Sequence, residues 1–103
     1  MIIRQGNTYQ LPVKLSMRGK VIKDTDVKTV EFVFGSIRKC YPEEVSFEND
    51  LFLVFLSQEE TFSLSAKASC IYQVRVLFAD GSVKGSDPIE VNVGVSASKE
   101  VLI

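Results

Sequence analysis

The sequence predicts an all-β domain, and an immunoglobulin-like antiparallel β-sandwich of about seven or eight short strands is the first choice. Apolar and polar residues alternate with period two along most of the chain. Turn residues recur at intervals of about 8–12 residues. No stretch of about 12 residues has the apolar spacing of an amphipathic helix, which argues against alternating strands and helices.

The length of the chain fits one globular domain, and its basic and acidic residues are nearly balanced. The chain has 103 residues, of which 46% are hydrophobic, and 12 basic and 13 acidic residues give a net charge of −1. That balance gives no overall attraction to nucleic acid or to an anionic membrane, so neither is expected. The longest apolar run, 51–56, is too short to span a bilayer. The first ten residues lack a signal-peptide pattern, so synthesis in the cytoplasm is expected.

The first half of the chain contains two clear strand patterns. In TYQLPVKLS (8–16) the apolar odd-numbered residues share one face, and Pro12, which has no N–H for the ladder, favours an edge strand. Gly19 marks the tip of a turn. In VKTVEFVFG (27–35) Gly35 is read as a bulge or bend, and three residues are predicted to face the core: Val30, Phe32 and Phe34.

The middle of the chain predicts a hairpin and a capped corner. Asn49-Asp50 is a tight turn signal before LFLVFL (51–56), which is apolar on both faces and is therefore predicted to be a central strand covered on two sides. In SQEET (57–61) Ser57 is predicted to cap a short helical turn, with Glu60 completing a capping box. Glu59 and Glu60 are adjacent, so they splay apart and do not form a catalytic pair.

The last predicted strands are followed by a C-terminal tail that is first polar and then apolar. CIYQVRVLFA (70–79) alternates, Asp80-Gly81 is a strong hairpin signal, and a return strand opens at Val83. Another alternating set follows at Ile89, Val91, Val93 and Val95. The sandwich domain is therefore assigned to 1–95. Residues 96–103 form a C-terminal tail that is either a last strand or an interaction segment.

The residue types exclude most catalytic chemistry. The chain contains no His, which removes Ser–His–Asp and Cys–His mechanisms. We therefore expect no enzyme, no catalytic residue, no metal and no cofactor. Cys40 and Cys70 are interpreted as half-buried strand thiols, because a disulfide would need an oxidising compartment. Asp24 and Asp26 are interpreted as a solvated turn, since calcium needs six or more oxygen ligands.

Two segments are candidate partner contacts. The end of the sequence holds three apolar residues, Val101, Leu102 and Ile103, which either pack back or form an interaction element. Arg38 and Lys39 are a weaker second candidate, as a small basic patch.

Four segments carry a family resemblance: IRQGNTYQLPVKLSMRGKVI, DVKTVEFVFGSIRKCYP, LFLVFLSQEETFSL and YQVRVLFADGSVKGSDPIEVNV. Together they resemble small proteins encoded in tail-gene regions of phages and prophages of Gram-positive bacteria. The first resembles the start of the N-terminal β-sandwich domain of phage baseplate upper proteins, although Asn7 stands where an Asp is common.

The resemblance implies a noncatalytic virion structural component or assembly protein of a tail or baseplate, acting by protein–protein contact. Its expected partners are other tail or baseplate proteins, with a homo-oligomer left open. It would be made in the host cytoplasm and then reside in the virion or tail particle. The alternative is a carbohydrate- or surface-binding β-sandwich module, for which three tyrosines are the candidate platform: Tyr9, Tyr41 and Tyr72.

Overall fold

The computed structural model describes residues 2–64, 70–87 and 89–103. Within these residues the chain forms eleven strands, one short α-helix and one 3₁₀ turn. The strands are β1 (Ile2–Arg4), β2 (Tyr9–Val13), β3 (Ser16–Met17), β4 (Lys20–Val21), β5 (Val27–Phe34), β6 (Ile37–Tyr41), β7 (Ser46–Glu48), β8 (Leu51–Leu56), β9 (Cys70–Phe78), β10 (Val83–Gly85) and β11 (Ile89–Gly94). The helix is α1 (Gln58–Phe62), and the 3₁₀ turn is Asp24–Asp26. The all-β prediction is confirmed.

The larger sheet is mixed. Its order is β1-β11-β9-β5-β6, and β10 also pairs with β9, beside the part of that strand that β11 leaves free. All of its pairings are antiparallel except that of β1, which runs parallel to β11. Strand β1 was not predicted from the sequence, because three residues are too few to show an alternating pattern.

The smaller sheet has the order β2-β8-β7. Strand β2 pairs with β8 alone, so the prediction of an edge strand at Pro12 is confirmed. The pattern 8–16 was expected to be one strand, but it divides into β2 and β3. Strand β3 pairs with β4 in a separate hairpin around Gly19. Five of the eleven strands have only two or three residues, which explains why there are more than the predicted seven or eight.

The core lies between the inner faces of the two sheets. Strand β5 contributes Val30, Phe32 and Phe34 from the larger sheet, all fully buried as predicted. Strand β8 contributes Phe52, whose ring packs against Phe32 of the opposite sheet at a centroid distance of 6.0 Å. Two half-buried aromatic rings, those of Tyr41 and Phe47, meet Phe52 edge-on. Aromatic packing therefore joins the sheets.

The prediction that LFLVFL is covered on two sides is wrong. Alternate residues of β8 are buried, but Leu51 and Leu53 are only half-buried and Phe55 is 51% exposed. An outward-facing apolar side chain cannot be told from an inward-facing one by hydrophobicity alone, so the pattern did not reveal the open face.

Backbone turns follow the sequence signals closely. Asn49 and Asp50, with φ of 53° and 63°, join β7 to β8 in a two-residue hairpin. Gly81 supports the hairpin between β9 and β10, and Gly35, with φ of 59°, bends the chain between β5 and β6. The capped corner is also confirmed, because α1 begins after Ser57 with the capping box in place. Strand β11 ends at Gly94, and residues 95–103 contain no strand.

Candidate interaction surface

The C-terminal tail crosses the beginning of α1 and is held there by one side chain. The amide of Gln58 donates from Nε2 to the backbone carbonyl of Leu102 at 2.7 Å, and the backbone N–H of Leu102 donates to Gln58 Oε1 at 2.9 Å. This two-point contact satisfies both main-chain groups of Leu102, as a neighbouring strand would. It fixes the backbone of the tail without burying the side chains around it.

A second contact anchors the tail closer to the sheets. Lys99 Nζ donates to Gln5 Oε1 at 2.8 Å, while Gln5 Nε2 donates to the carbonyl of Leu64 at 2.8 Å. Gln5 is a buried polar side chain, and both the nitrogen and the oxygen of its amide are hydrogen-bonded. A cavity of about 190 Å³ lies beneath this part of the tail, between Gln5, Phe62 and Leu102.

The predicted contact residues of the tail are presented to solvent. Val101 is 38% exposed, Leu102 is 77% exposed and Ile103 is fully exposed. Polar contacts hold the backbone while these apolar side chains point outward. The ordering of the backbone reduces the conformational entropy that a partner would have to remove on binding.

Arg38 and Lys39 do not share a face. They are neighbours on β6, so their side chains point to opposite sides of the larger sheet. Lys39 points inward, where its Nζ lies 2.7 Å from Glu60 Oε2 and its side chain is only 14% exposed. The basic patch that the sequence suggested therefore does not include Lys39.

Arg38 instead belongs to a cluster on the outer face of the larger sheet. Glu31 lies between Arg38 and Arg75 and accepts a hydrogen bond from the Nε atom of each, at 2.8 Å for Arg75. These hydrogen bonds, that of Arg75 first, lower the pKa of Glu31 and raise the pKa values of both guanidinium groups. The carboxylate is only 12% exposed, whereas the arginine side chains are 62% and 58% exposed.

Two edge strands are blocked against pairing with another chain. Pro12 removes an N–H from β2. On β6, the backbone N–H of Glu44 donates to the carbonyl of Cys40 at 2.8 Å, and the Glu44 carboxylate accepts from the Cys40 N–H at 3.3 Å. Both main-chain groups of Cys40 are thus occupied, which limits strand addition at that edge. Strand addition is therefore limited at these two edges.

An apolar surface on the smaller sheet was not predicted from the sequence. Phe55 and Leu53 line a shallow cavity of about 290 Å³ together with Glu43 and Glu44. The signal was present in LFLVFL, whose alternate residues are as apolar as its core residues. It was interpreted as burial on both faces rather than as an open face.

The tyrosines and Cys70 lie against the core. Tyr72 stacks on Phe34 at a centroid distance of 4.5 Å, and burial raises its pKa. Tyr9 and Tyr41 are also half-buried, so the three do not form an exposed aromatic platform. Cys40 and Cys70 are free thiols, and burial raises the pKa of each.

Within residues 2–64, 70–87 and 89–103, no three His, Cys, Asp or Glu side chains are grouped as metal ligands. None of the helices described is long and apolar enough to cross a membrane. Comparison of the chain with models of known families, with curated proteins and with solved structures gave no match.

Proposed function

We propose that this protein is a noncatalytic structural component or assembly protein of a phage or prophage tail or baseplate, acting by protein–protein contact. The observation that carries the proposal is the tail, in which Gln58 fixes the backbone and leaves Leu102 and Ile103 exposed. Exposed apolar side chains on an ordered backbone are typical of a contact element. The sequence resemblance supplies the class of partner, namely neighbouring tail or baseplate proteins.

We also propose that the sandwich is of the immunoglobulin-like type, and the strand order supports this. One sheet has the order β7-β8-β2 and the other β6-β5-β9-β11. We letter β2 as B, β5 as C, β6 as C′, β7 as D, β8 as E, β9 as F and β11 as G, and leave the short strands β3, β4 and β10 unlettered. The two orders then read D-E-B and C′-C-F-G. The helix α1 then lies in the E–F connection. An experimental structure with a different strand order would refute this assignment.

The functional test compares the protein with a variant lacking residues 101–103. We expect the intact protein to bind tail or baseplate proteins encoded in the same gene region, and the shortened variant to bind at least tenfold more weakly. Light scattering on each mixture measures complex formation. Equal binding by both proteins would refute a role for the tail.

A matched pair of substitutions separates contact from general surface change. Leu102→Asp places a charge on the tail, and Val95→Asp places one at a site of comparable exposure, 58%, outside the tail. We expect the first to weaken binding and the second to leave it unchanged. Equal losses would indicate a nonspecific effect of charge.

A further inference from the structure

The arginine pair on the larger sheet is arranged to receive a carboxylate. Each of Arg38 and Arg75 uses its Nε atom for Glu31. In the part of the chain that the structure describes, the terminal Nη atoms of both make no hydrogen bond. The Glu31 carboxylate thus fixes two guanidinium groups and leaves the two Nη atoms of each in solvent. A pair of Nη donors on one guanidinium group can bind the carboxylate of a partner with two parallel hydrogen bonds.

Apolar residues flank this cationic site. A cavity of about 200 Å³ beside the arginines is lined by Leu77 and Val83, and Val83 is 56% exposed. The site therefore combines a local charge of about +1, from two arginines and one glutamate, with an exposed aliphatic surface. A complementary partner would offer carboxylates beside an apolar side chain.

The same chain carries such a surface on its smaller sheet. Glu43 and Glu44 line the cavity that Phe55 and Leu53 also line. Among the described residues neither glutamate forms a salt bridge, although Glu44 accepts one hydrogen bond from the Cys40 N–H. Phe55 is 51% exposed. This surface therefore also combines charge with exposed apolar side chains, but its charge is negative, whereas that of the arginine pair is positive.

We infer that the arginine surface (Arg38, Arg75, Leu77, Val83) binds the glutamate surface (Glu43, Glu44, Leu53, Phe55) of a second copy of this chain. Two carboxylates would meet two guanidinium groups, and Phe55 would cover Val83. Reciprocal pairing of the two surfaces closes a two-fold dimer, whereas pairing of one surface alone is head-to-tail and produces closed rings or filaments. The contact is independent of the tail at 101–103.

The test measures the association of the intact protein by sedimentation velocity over a range of concentrations and salt. We expect association that weakens in about 0.5 M salt, because exposed charges are screened there. A protein that stays monomeric at millimolar concentration and low salt would overturn the inference.

Charge reversal tests which residues meet. Arg38→Glu with Arg75→Glu, and separately Glu43→Lys with Glu44→Lys, should each weaken self-association at least tenfold. Mixing the two double variants should restore association, because the unmodified glutamate surface of one then meets the unmodified arginine surface of the other, and the two reversed surfaces also carry opposite charges. The control variant, Lys20→Glu with Glu59→Lys, alters exposed charges outside both surfaces and should associate like the unmodified protein.

Loss of association in the variants without recovery in the mixture would overturn the inference.

Because the arginine variant places new carboxylates beside Glu31, its folding is checked by circular dichroism. If it does not fold, Glu43→Gln with Glu44→Gln replaces it, since this change leaves the Glu31 cluster intact. Unchanged association of that variant would also overturn the inference. Tail-dependent binding of other proteins would be unaffected by any of these results.

Discussion

Lys39 Nζ lies 2.7 Å from Glu60 Oε2, and this ion pair connects the edge strand of the larger sheet to the helix that follows the smaller one. Glu60 also accepts a hydrogen bond from the Ser57 N–H through its other carboxylate oxygen, at 2.9 Å. One carboxylate therefore closes the helix cap and links the helix to the larger sheet.

This ion pair should contribute measurable coupling to stability. The side chains of Lys39 and Glu60 are 14% and 30% exposed, so the pair is less solvated than an ordinary surface pair. In a double-mutant cycle with Lys39→Met and Glu60→Gln, we expect a coupling free energy on the order of 1 kcal/mol, measured by urea unfolding. Arg38→Met with Glu60→Gln is the matched cycle and should show almost no coupling, since Arg38 faces the other side.

The protein should lose stability in acid through two carboxylates. Hydrogen bonds from Arg75 and Arg38 lower the pKa of Glu31 below its ordinary 4.5. Burial raises that of Glu60, but hydrogen bonds with Lys39 and Ser57 outweigh it and the net change is a lowering. Because the unfolded chain binds protons more readily, this stabilisation is complete above the ordinary pKa and lost as pH falls through the lowered values.

Urea unfolding from neutral pH to about pH 3 measures this loss. We expect the free energy of unfolding to fall less steeply with acid in Glu31→Gln and Glu60→Gln than in the unmodified protein. Identical pH profiles for all three would show that other groups are responsible.

Removing the helix cap should destabilise the fold without altering partner binding. The Ser57 hydroxyl accepts a hydrogen bond from the Glu60 N–H at 3.1 Å. Ser57→Ala should reduce the free energy of unfolding by about 1 kcal/mol, as other N-cap losses do. Ser36→Ala, at an exposed turn, is the control and should change stability little. A loss of partner binding without a loss of stability would contradict this structural role.

Two glycines offer a matched test of packing. Gly6 and Gly19 have φ values of 82° and 78°, so alanine should cost roughly 1–2 kcal/mol of backbone strain at either. A Cβ at Gly19 would meet nothing within 4 Å, whereas one at Gly6 would lie 2.7 Å from the ring of Phe62. We expect Gly6→Ala to be more destabilising by about 1 kcal/mol or more in thermal unfolding. Equal effects would show that the ring moves freely.

The sequence by itself determined the local structure of this protein. Period-two alternation identified the inner residues of β5, and Asp80-Gly81 and Asn49-Asp50 identified two hairpins. Ser57 and Glu60 identified the capped corner. Each of these features depends on residues close together in the chain, whose turn preferences and cap hydrogen bonds are local.

The tertiary structure alone decided which faces meet and which stay open. Hydrophobicity cannot assign Phe55 to solvent and Phe52 to the core, because both are apolar and lie in one strand. Likewise Arg38 and Lys39 are adjacent in sequence, but one binds Glu31 and the other Glu60, since β6 has the core on one side only. Contacts between distant residues, including Gln58 with Leu102, depend on how the sheets and tail pack, which no local pattern encodes.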